Sequence, residues 1–146
     1  MKKKLCDGTT DRDARILQKD EDSIIYQIKN EAGELLITEH QVFSGIWLCY
    51  KDAHIQSYTY PSSYPSGMLE ITHCREGRFE YDAGEFFFYL SGGDISVCKS
   101  REEGTVVYFP TRHYHGVSIL IDPVSAPSCL SCFLEDVNVS PGALLE

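Results

Sequence analysis

The fold is decided by one stretch of the chain, Glu70-Ile-Thr-His-Cys-Arg-Glu-Gly77, which continues through Arg78-Phe-Glu-Tyr81 to Tyr89-Leu-Ser-Gly-Gly93-Asp94. Polar and apolar side chains alternate along it, which is typical of strands with one buried face. Its glycines lie where tight hairpins need a positive φ. Because hairpins join neighbouring strands directly, this stretch predicts an antiparallel sheet.

The same alternation recurs from residue 23 to about residue 134, with glycine-containing turns at 31–33, 75–77, 82–84 and 91–93. Many short strands at close spacing favour a sandwich or a closed barrel, in which few strand edges stay exposed. We therefore predict an all-β domain. Its candidate strands are residues 23–29, 35–39, 43–50, 55–60, 68–74, 78–82, 86–90, 94–98, 105–109, 115–121 and 129–134.

Composition divides the chain into three segments. Residues 1–22 form a polar N-terminal segment, and residues 23–137 carry the strand pattern of the barrel. In residues 138–146 a capping serine, a proline at the first helical position and two leucines predict the start of a helix with one apolar face. Since one helical turn is not stable by itself, we expect the helix and the protein to continue beyond Glu146.

The net charge of −9 excludes one class of function for this segment. A strongly acidic chain repels phosphates, so any contact with DNA is expected only through a domain outside this chain. The start of the chain lacks the apolar stretch of a secretory signal, and no apolar run reaches the roughly 18 residues of a membrane span. We expect a cytoplasmic protein without membrane contact, whose six cysteines remain free thiols.

The stretch from Glu70 to Asp94 resembles two sequence motifs of the cupin family. In that family a glutamate, six residues and a glycine belong to the first motif, which matches Glu70 and Gly77. A Gly-Asp pair opens the second motif and matches Gly93 and Asp94. The resemblance implies an antiparallel double-stranded β-helix, which is a barrel of the jelly-roll type.

A later segment, Tyr108-Phe-Pro-Thr-Arg-His-Tyr-His-Gly-Val-Ser-Ile-Leu-Ile-Asp122, is similar to the N-terminal domains of AraC-type bacterial transcription regulators. The resemblance covers roughly residues 43 to 146. It implies an effector-sensing and dimerisation domain, in which a small molecule in the barrel modulates attached helix-turn-helix units. It also implies a homodimer.

Cupin enzymes usually hold a divalent metal with a His-x-His pair, the motif glutamate and a later histidine. The pair would fall within residues 63–66 and the later histidine near Gly104, and neither place contains a histidine. Glu70 alone cannot form a transition-metal site, so we expect no metal, no other cofactor and no enzymatic activity. The alternative is a cupin enzyme with an unusual site built from His113, His115 and perhaps Glu70, because alternate strand residues share a face.

No nucleophile motif, phosphate-binding glycine loop or dinucleotide fingerprint occurs, so we predict no catalytic residue. The barrel interior is instead expected to bind an unidentified small-molecule effector between aromatic walls and a few polar groups. Which side chains point inward depends on the strand register. A further alternative is a structural or dimerisation barrel without a ligand. The candidate ligand-binding residues are Trp47, Glu70, His73, Tyr81, Tyr108, His113 and His115.

Overall fold

The computed structural model describes residues 14–60, 67–101 and 104–126. These residues form ten β-strands and no helix. Accordingly, the described part of the chain contains no helix long and apolar enough to cross a membrane. The strands are β1 (Ala14–Lys19), β2 (Ser23–Asn30), β3 (Gly33–Phe43), β4 (Ile46–Ile55), β5 (Ser57–Thr59), β6 (Leu69–Asp82), β7 (Phe87–Ser91), β8 (Ile95–Lys99), β9 (Val106–Tyr108) and β10 (Tyr114–Ile121).

Strand β6 belongs to both of the sheets that make up the fold. Its first half pairs with β10 and β8, and β10 pairs with β4, which gives the order β4-β10-β6-β8. Its second half pairs with β7 and β9, and β9 pairs with β5, which gives the order β5-β9-β6-β7. All of these pairings are antiparallel. Eight strand segments in two four-stranded sheets form a jelly roll, which confirms the predicted all-β, cupin-type fold.

The turn predicted at 75–77 is wrong, because β6 runs through these residues without a hairpin. Gly77 has a φ of 78°, and the register between β6 and β10 shifts next to it. A Cβ atom at Gly77 would overlap the backbone oxygen of His113. This glycine therefore allows a close approach of two strands and a bend that carries β6 from the first sheet into the second. The other three predicted turns are confirmed.

Strands β3, β2 and β1 extend the first sheet beyond β4. Strand β1 covers residues that we assigned to a polar N-terminal segment, and its side chains are mostly exposed. An edge strand without a buried face lacks the alternation by which strands are predicted. The predicted strand at 129–134 and the predicted helix start at 138–146 lie outside the described residues, so the segment boundaries at 22 and 137 stay predictions.

One apolar core lies between the two sheets. The first sheet contributes side chains such as Tyr26 and Ile37, and the second contributes Phe79 and Val107; all four are buried. Burying a large apolar side chain of this kind stabilises a fold by about 2 kcal/mol. The same interior also encloses a few charged side chains, which form the candidate site.

Candidate functional site

Three charged side chains, those of Lys51, Glu70 and Arg101, meet inside the jelly roll, and we call them the interior cluster. The Glu70 side chain is completely buried, and those of Lys51 and Arg101 are 8% and 5% exposed. Lys51 Nζ lies 3.5 Å from Glu70 Oε1. The guanidinium of Arg101 spans the carboxylate: Nη1 lies 3.3 Å from Oε2, and Nη2 donates a hydrogen bond of 3.3 Å to Oε1.

The interior cluster follows from strand alternation at two of its three positions. On β4 alternate residues from 47 to 55 are buried, and all of them except Lys51 are apolar. Glu70 lies on β6, where Thr72 and Cys74 continue the same buried face. Arg101 is different, because it comes from the segment that follows β8. Two strands and a loop therefore bring the three charges together.

Two hydroxyl groups support the carboxylate of Glu70. Thr72 donates a hydrogen bond of 3.2 Å to Glu70 Oε1. Ser118 lies opposite Thr72 in the register of β10 and β6, and the two hydroxyl oxygens are 2.9 Å apart. Either hydroxyl can be the donor of this contact, and hydrogen bonds from both side chains favour the ionised form of Glu70.

Aromatic rings surround the guanidinium group of Arg101. Its Cζ atom is 5.0 Å from the ring centre of Tyr60, 5.2 Å from that of Tyr81 and 5.4 Å from that of Phe79. Aromatic faces attract a cation at this distance. Burial raises the pKa of Tyr60 well above its ordinary value, and the negative charge of Glu70 raises it further. The Tyr60 phenol is therefore neutral at physiological pH.

Mutual neutralisation keeps the interior cluster ionised in spite of its burial. Burial by itself would raise the pKa of Glu70, but the positive charges of Arg101 and Lys51, helped by the hydroxyls of Thr72 and Ser118, lower it to about 2. Burial opposes the charged forms of Arg101 and Lys51 as well, yet the Glu70 carboxylate raises the pKa of both. At neutral pH the cluster thus carries one net positive charge.

Two buried polar atoms of the interior cluster make no hydrogen bond within the described part of the chain. One is Nε of Arg101. The other is Glu70 Oε2, whose contact with Arg101 is an ion pair without hydrogen-bond alignment. An unsatisfied buried donor costs about 1–3 kcal/mol. A small polar molecule beside Arg101 would remove that cost.

The structure divides the seven predicted ligand-binding residues between the two faces of the sheets. Trp47, Glu70 and Tyr81 are buried in the interior. His73 and Tyr108 are exposed, and His113 and His115 are half-buried on the outer face of the first sheet. The sheet therefore separates Glu70 from both histidines of the HxH pair. Glu70 therefore does not join a metal site with His113 and His115. The enzyme alternative built on these two histidines without Glu70 stays a prediction.

Lys51 and Arg101 are candidate functional residues that the sequence analysis missed. Lys51 had a usable signal, because it is the charged member of an otherwise apolar alternating row. Arg101 had none, since it lies in the charged run Lys99-Ser-Arg-Glu-Glu103, where an arginine is normally solvated.

No protein-family model and no curated protein sequence matches the chain. Solved structures do match: an HTH_3 family transcriptional regulator from Vibrio cholerae is 18% identical, with a TM-score of 0.44 over 60% of this chain and 51% of that chain. The Cupin_2 domain of an XRE family transcriptional regulator from Enterobacter cloacae is 10% identical, with a TM-score of 0.45 over 61% of this chain and 97% of that chain. A mutant of phosphomannose isomerase from Salmonella typhimurium is 12% identical, with a TM-score of 0.41 over 68% of this chain and 23% of that chain.

The match spans about half the length of the Vibrio cholerae regulator. Regulators and an isomerase occur side by side among these structures, at identities of 18% or less. Such similarity concerns the fold alone, since one fold hosts many functions. The function of this chain is therefore inferred from its own site and sequence.

Proposed function

We propose that the interior of the jelly roll binds a small molecule with a carboxylate or phosphate group, and that the chain is the effector-sensing domain of a transcription regulator of the AraC type. One observation carries the proposal. The buried Nε of Arg101 has no hydrogen-bond partner among the described residues, and it lies in a cluster with one net positive charge.

A gain in folding stability does not explain why the interior contains these three charged side chains. A buried ion pair is often no more stabilising than apolar side chains of the same volume, because its charges lose their hydration. The surrounding rings of Tyr60, Phe79 and Tyr81 would accommodate such apolar side chains. Charges that are nevertheless present in an aromatic interior indicate a binding site.

The chemistry of the interior cluster favours an anionic ligand. Each terminal nitrogen of Arg101 directs one of its two N–H groups at Glu70. Nε has no hydrogen-bond partner among the described residues, so it is a donor that a ligand can use. A carboxylate or phosphate oxygen would accept a charge-assisted hydrogen bond from it and offset the net positive charge. The other buried carboxylate of the described residues, Glu39, accepts a hydrogen bond of 3.0 Å from Tyr26.

The regulatory part of the proposal is supported by the sequence resemblance and by the charge of the chain. Residues 43 to 146 resemble AraC-type sensor domains, and a net charge of −9 disfavours direct DNA contact by this segment. A ligand would then act by favouring one arrangement of the domain relative to DNA-binding units outside this chain. The homodimer and the cytoplasmic location belong to the same proposal.

Ligand binding is tested by isothermal titration calorimetry with succinate, citrate and inorganic phosphate as probes and glucose as a neutral control. We expect at least one anion to bind at one equivalent and glucose not to bind. Arg101→Gln should weaken that binding at least about 10-fold, since a hydrogen bond to a charged group contributes about 1.5–3 kcal/mol. Arg101→Lys, which keeps the charge but removes the planar group, should recover only part of it.

Arg78 provides the matched control for Arg101. It is also an arginine over an aromatic ring, with its Cζ 4.0 Å from the ring centre of Tyr89, but its side chain is 35% exposed. Arg78→Gln should leave anion binding unchanged. The proposal is contradicted when none of the three anions binds, or when both glutamine variants, shown to be folded by circular dichroism, lose binding equally.

The regulatory role is tested by the coding sequence that follows Glu146. Two helix-turn-helix patterns are expected there. A stop codon directly after Glu146 would contradict this part of the proposal and leave the ligand-binding part standing.

A further inference from the structure

Three of the five histidines of the chain meet on the outer face of the first sheet. They are His54, His113 and His115, and one ring nitrogen of each lies within 4.8 Å of those of the other two. The ring centres of His113 and His115 are 4.7 Å apart, and that of His54 is 5.4 Å from His113. Such a concentration of imidazoles needs a physical reason.

The strand register places these side chains together with two carboxylates. Asp52 and His54 alternate on β4, so both project from its outer face, and His115 lies directly opposite Asp52 on β10. Glu76 of β6 is the partner of His115 on the other side. We call Asp52, His54, Glu76, His113 and His115 the outer cluster.

The carboxylate oxygens of the outer cluster lie between the imidazoles. Asp52 Oδ1 is 3.0 Å from His54 Nε2 and 2.8 Å from His115 Nε2. Glu76 Oε2 is 3.0 Å from His113 Nε2 and 3.6 Å from His115 Nδ1. His115 Nε2 is buried and makes no hydrogen bond despite its closeness to Asp52. The contact between these two atoms is therefore close but lacks the alignment of a hydrogen bond.

The backbone before His113 is held in an unusual conformation. Arg112 is the one non-glycine residue with positive φ among the described residues, at 54°, a conformation that is uncommon for a residue with a Cβ atom. Its side chain donates a hydrogen bond of 2.8 Å to the carbonyl oxygen of Ala32, which anchors it to a distant turn. Strain of this kind concentrates at functional sites. Here it sets the position of His113.

From this geometry we infer that the outer cluster binds a divalent transition metal ion, with His54, His113 and His115 as ligands. Three imidazoles with a fourth position open to water suit Zn²⁺, whereas Ca²⁺ and Mg²⁺ require oxygen ligands. Glu76 supports the site by accepting a hydrogen bond from an imidazole, as residues around metal ligands commonly do. Exposed ion pairs alone contribute too little to stability to explain the gathering of these five side chains.

This metal site is independent of the proposed effector site. The outer cluster lies on the opposite face of the first sheet from Glu70, which is completely buried. The histidines and Asp52 are partly exposed, at 39% to 53% of their side chains, so an ion in solution reaches them. One site can therefore fail its test while the other passes.

The metal site is tested with the whole 146-residue chain after removal of bound metal by a chelator. Zn²⁺ titration by calorimetry should show one equivalent of tight binding. The triple variant His54→Ala/His113→Ala/His115→Ala should lose this binding, and His115→Gln, the mildest change, should weaken it at least about 10-fold. His40→Ala and His73→Ala, which remove the two histidines outside the cluster, should leave affinity within about 2-fold of the original, as expected of non-ligands.

The absorption spectrum of the Co²⁺-bound protein distinguishes binding by histidines from binding by the cysteines of the chain. Bound Co²⁺ should show the visible absorption of a tetrahedral site without thiolate charge-transfer bands. Thermal melts of the metal-free variants show which of them fail to fold. If the triple variant does not fold, the Zn²⁺ affinity of the single variant His115→Gln tests the site instead. The inference is overturned when the chain does not bind Zn²⁺ stoichiometrically, when the histidine variants bind as well as the original chain, or when cobalt shows thiolate bands.

Discussion

The interior cluster and the outer cluster are built from the same strands but lie in opposite environments. Lys51 and Asp52 are consecutive on β4, and strand alternation sends the first inward and the second outward. Inside, Glu70 is completely buried between two cations. Outside, the Asp52 and Glu76 side chains are 49% and 62% exposed.

This contrast shows that contacts of similar length have different energetic weight on the two faces. Water and salt screen the ion pairs of the outer cluster, so removing one partner should hardly affect folding. The charges of the interior cluster have lost their hydration and depend on one another. Changes inside should therefore cost folding stability, whereas changes outside should cost metal binding.

The largest difference between the clusters should appear when one carboxylate is removed from each. Glu70→Ala leaves Lys51 and Arg101 buried without a counter-charge, which should lower the free energy of unfolding by about 3–5 kcal/mol. Asp52→Ala should lower it by less than about 1 kcal/mol. Urea denaturation followed by the fluorescence of Trp47 measures both. Equal losses would show that the two faces do not differ as proposed.

Lowering the pH should also affect the two clusters differently. The expected difference in folding free energy is slightly smaller than that between Glu70→Ala and Asp52→Ala. The folded pKa of Glu70, about 2, lies below the ordinary value of 4.5. Its stabilising contribution is therefore complete above pH 4.5 and is lost as the pH falls through 2; the total is about 3 kcal/mol. Denaturation midpoints measured across this window should fall less steeply in Glu70→Gln than in the original chain. Identical slopes would mean that Glu70 is not held ionised by its neighbours.

A single glycine tests the junction between the two sheets that both clusters share. Gly77→Ala forces a Cβ atom against the backbone of His113 at a positive φ, and should cost about 2 kcal/mol of stability. Gly84 also has a positive φ but lies in open space, so Gly84→Ala should cost only about 1 kcal/mol. Chemical denaturation compares the two, and a larger loss at Gly84 would contradict the close approach at Gly77.

The smallest effect is expected for Glu76 in the metal-free protein. The hydrogen bond from His113 lowers the pKa of this exposed carboxyl, so Glu76→Gln changes a contact that water already weakens. The urea midpoint at neutral pH should not move measurably. A shift as large as that of Glu70→Gln would mean that the outer cluster is a folding element and not a binding site.

The sequence predicted the fold well because its signals are local. Alternation predicted a strand with one buried face along the first half of β6. It did not show that Glu70 points inward and His73 outward, because that depends on the strand register. Edge strand β1 escaped prediction because exposed edges do not alternate, and the glycine signal at 75–77 was misinterpreted because a bulge and a hairpin use the same residue type. A glycine such as Gly77 can be expected to adopt a positive φ, but the sequence does not show which strand passes close to that glycine.

By itself the sequence determined the antiparallel strands and most of their turns. It also showed which glutamate and histidine residues could bind a ligand or a metal ion. Only the tertiary structure decided that Arg101 reaches Glu70 from a loop, and that His54 meets His113 and His115 on the face opposite to Glu70. The physical reason is that alternation and turn chemistry act between neighbouring residues. Which distant side chains share a face is set by the register of strands that lie far apart in the chain.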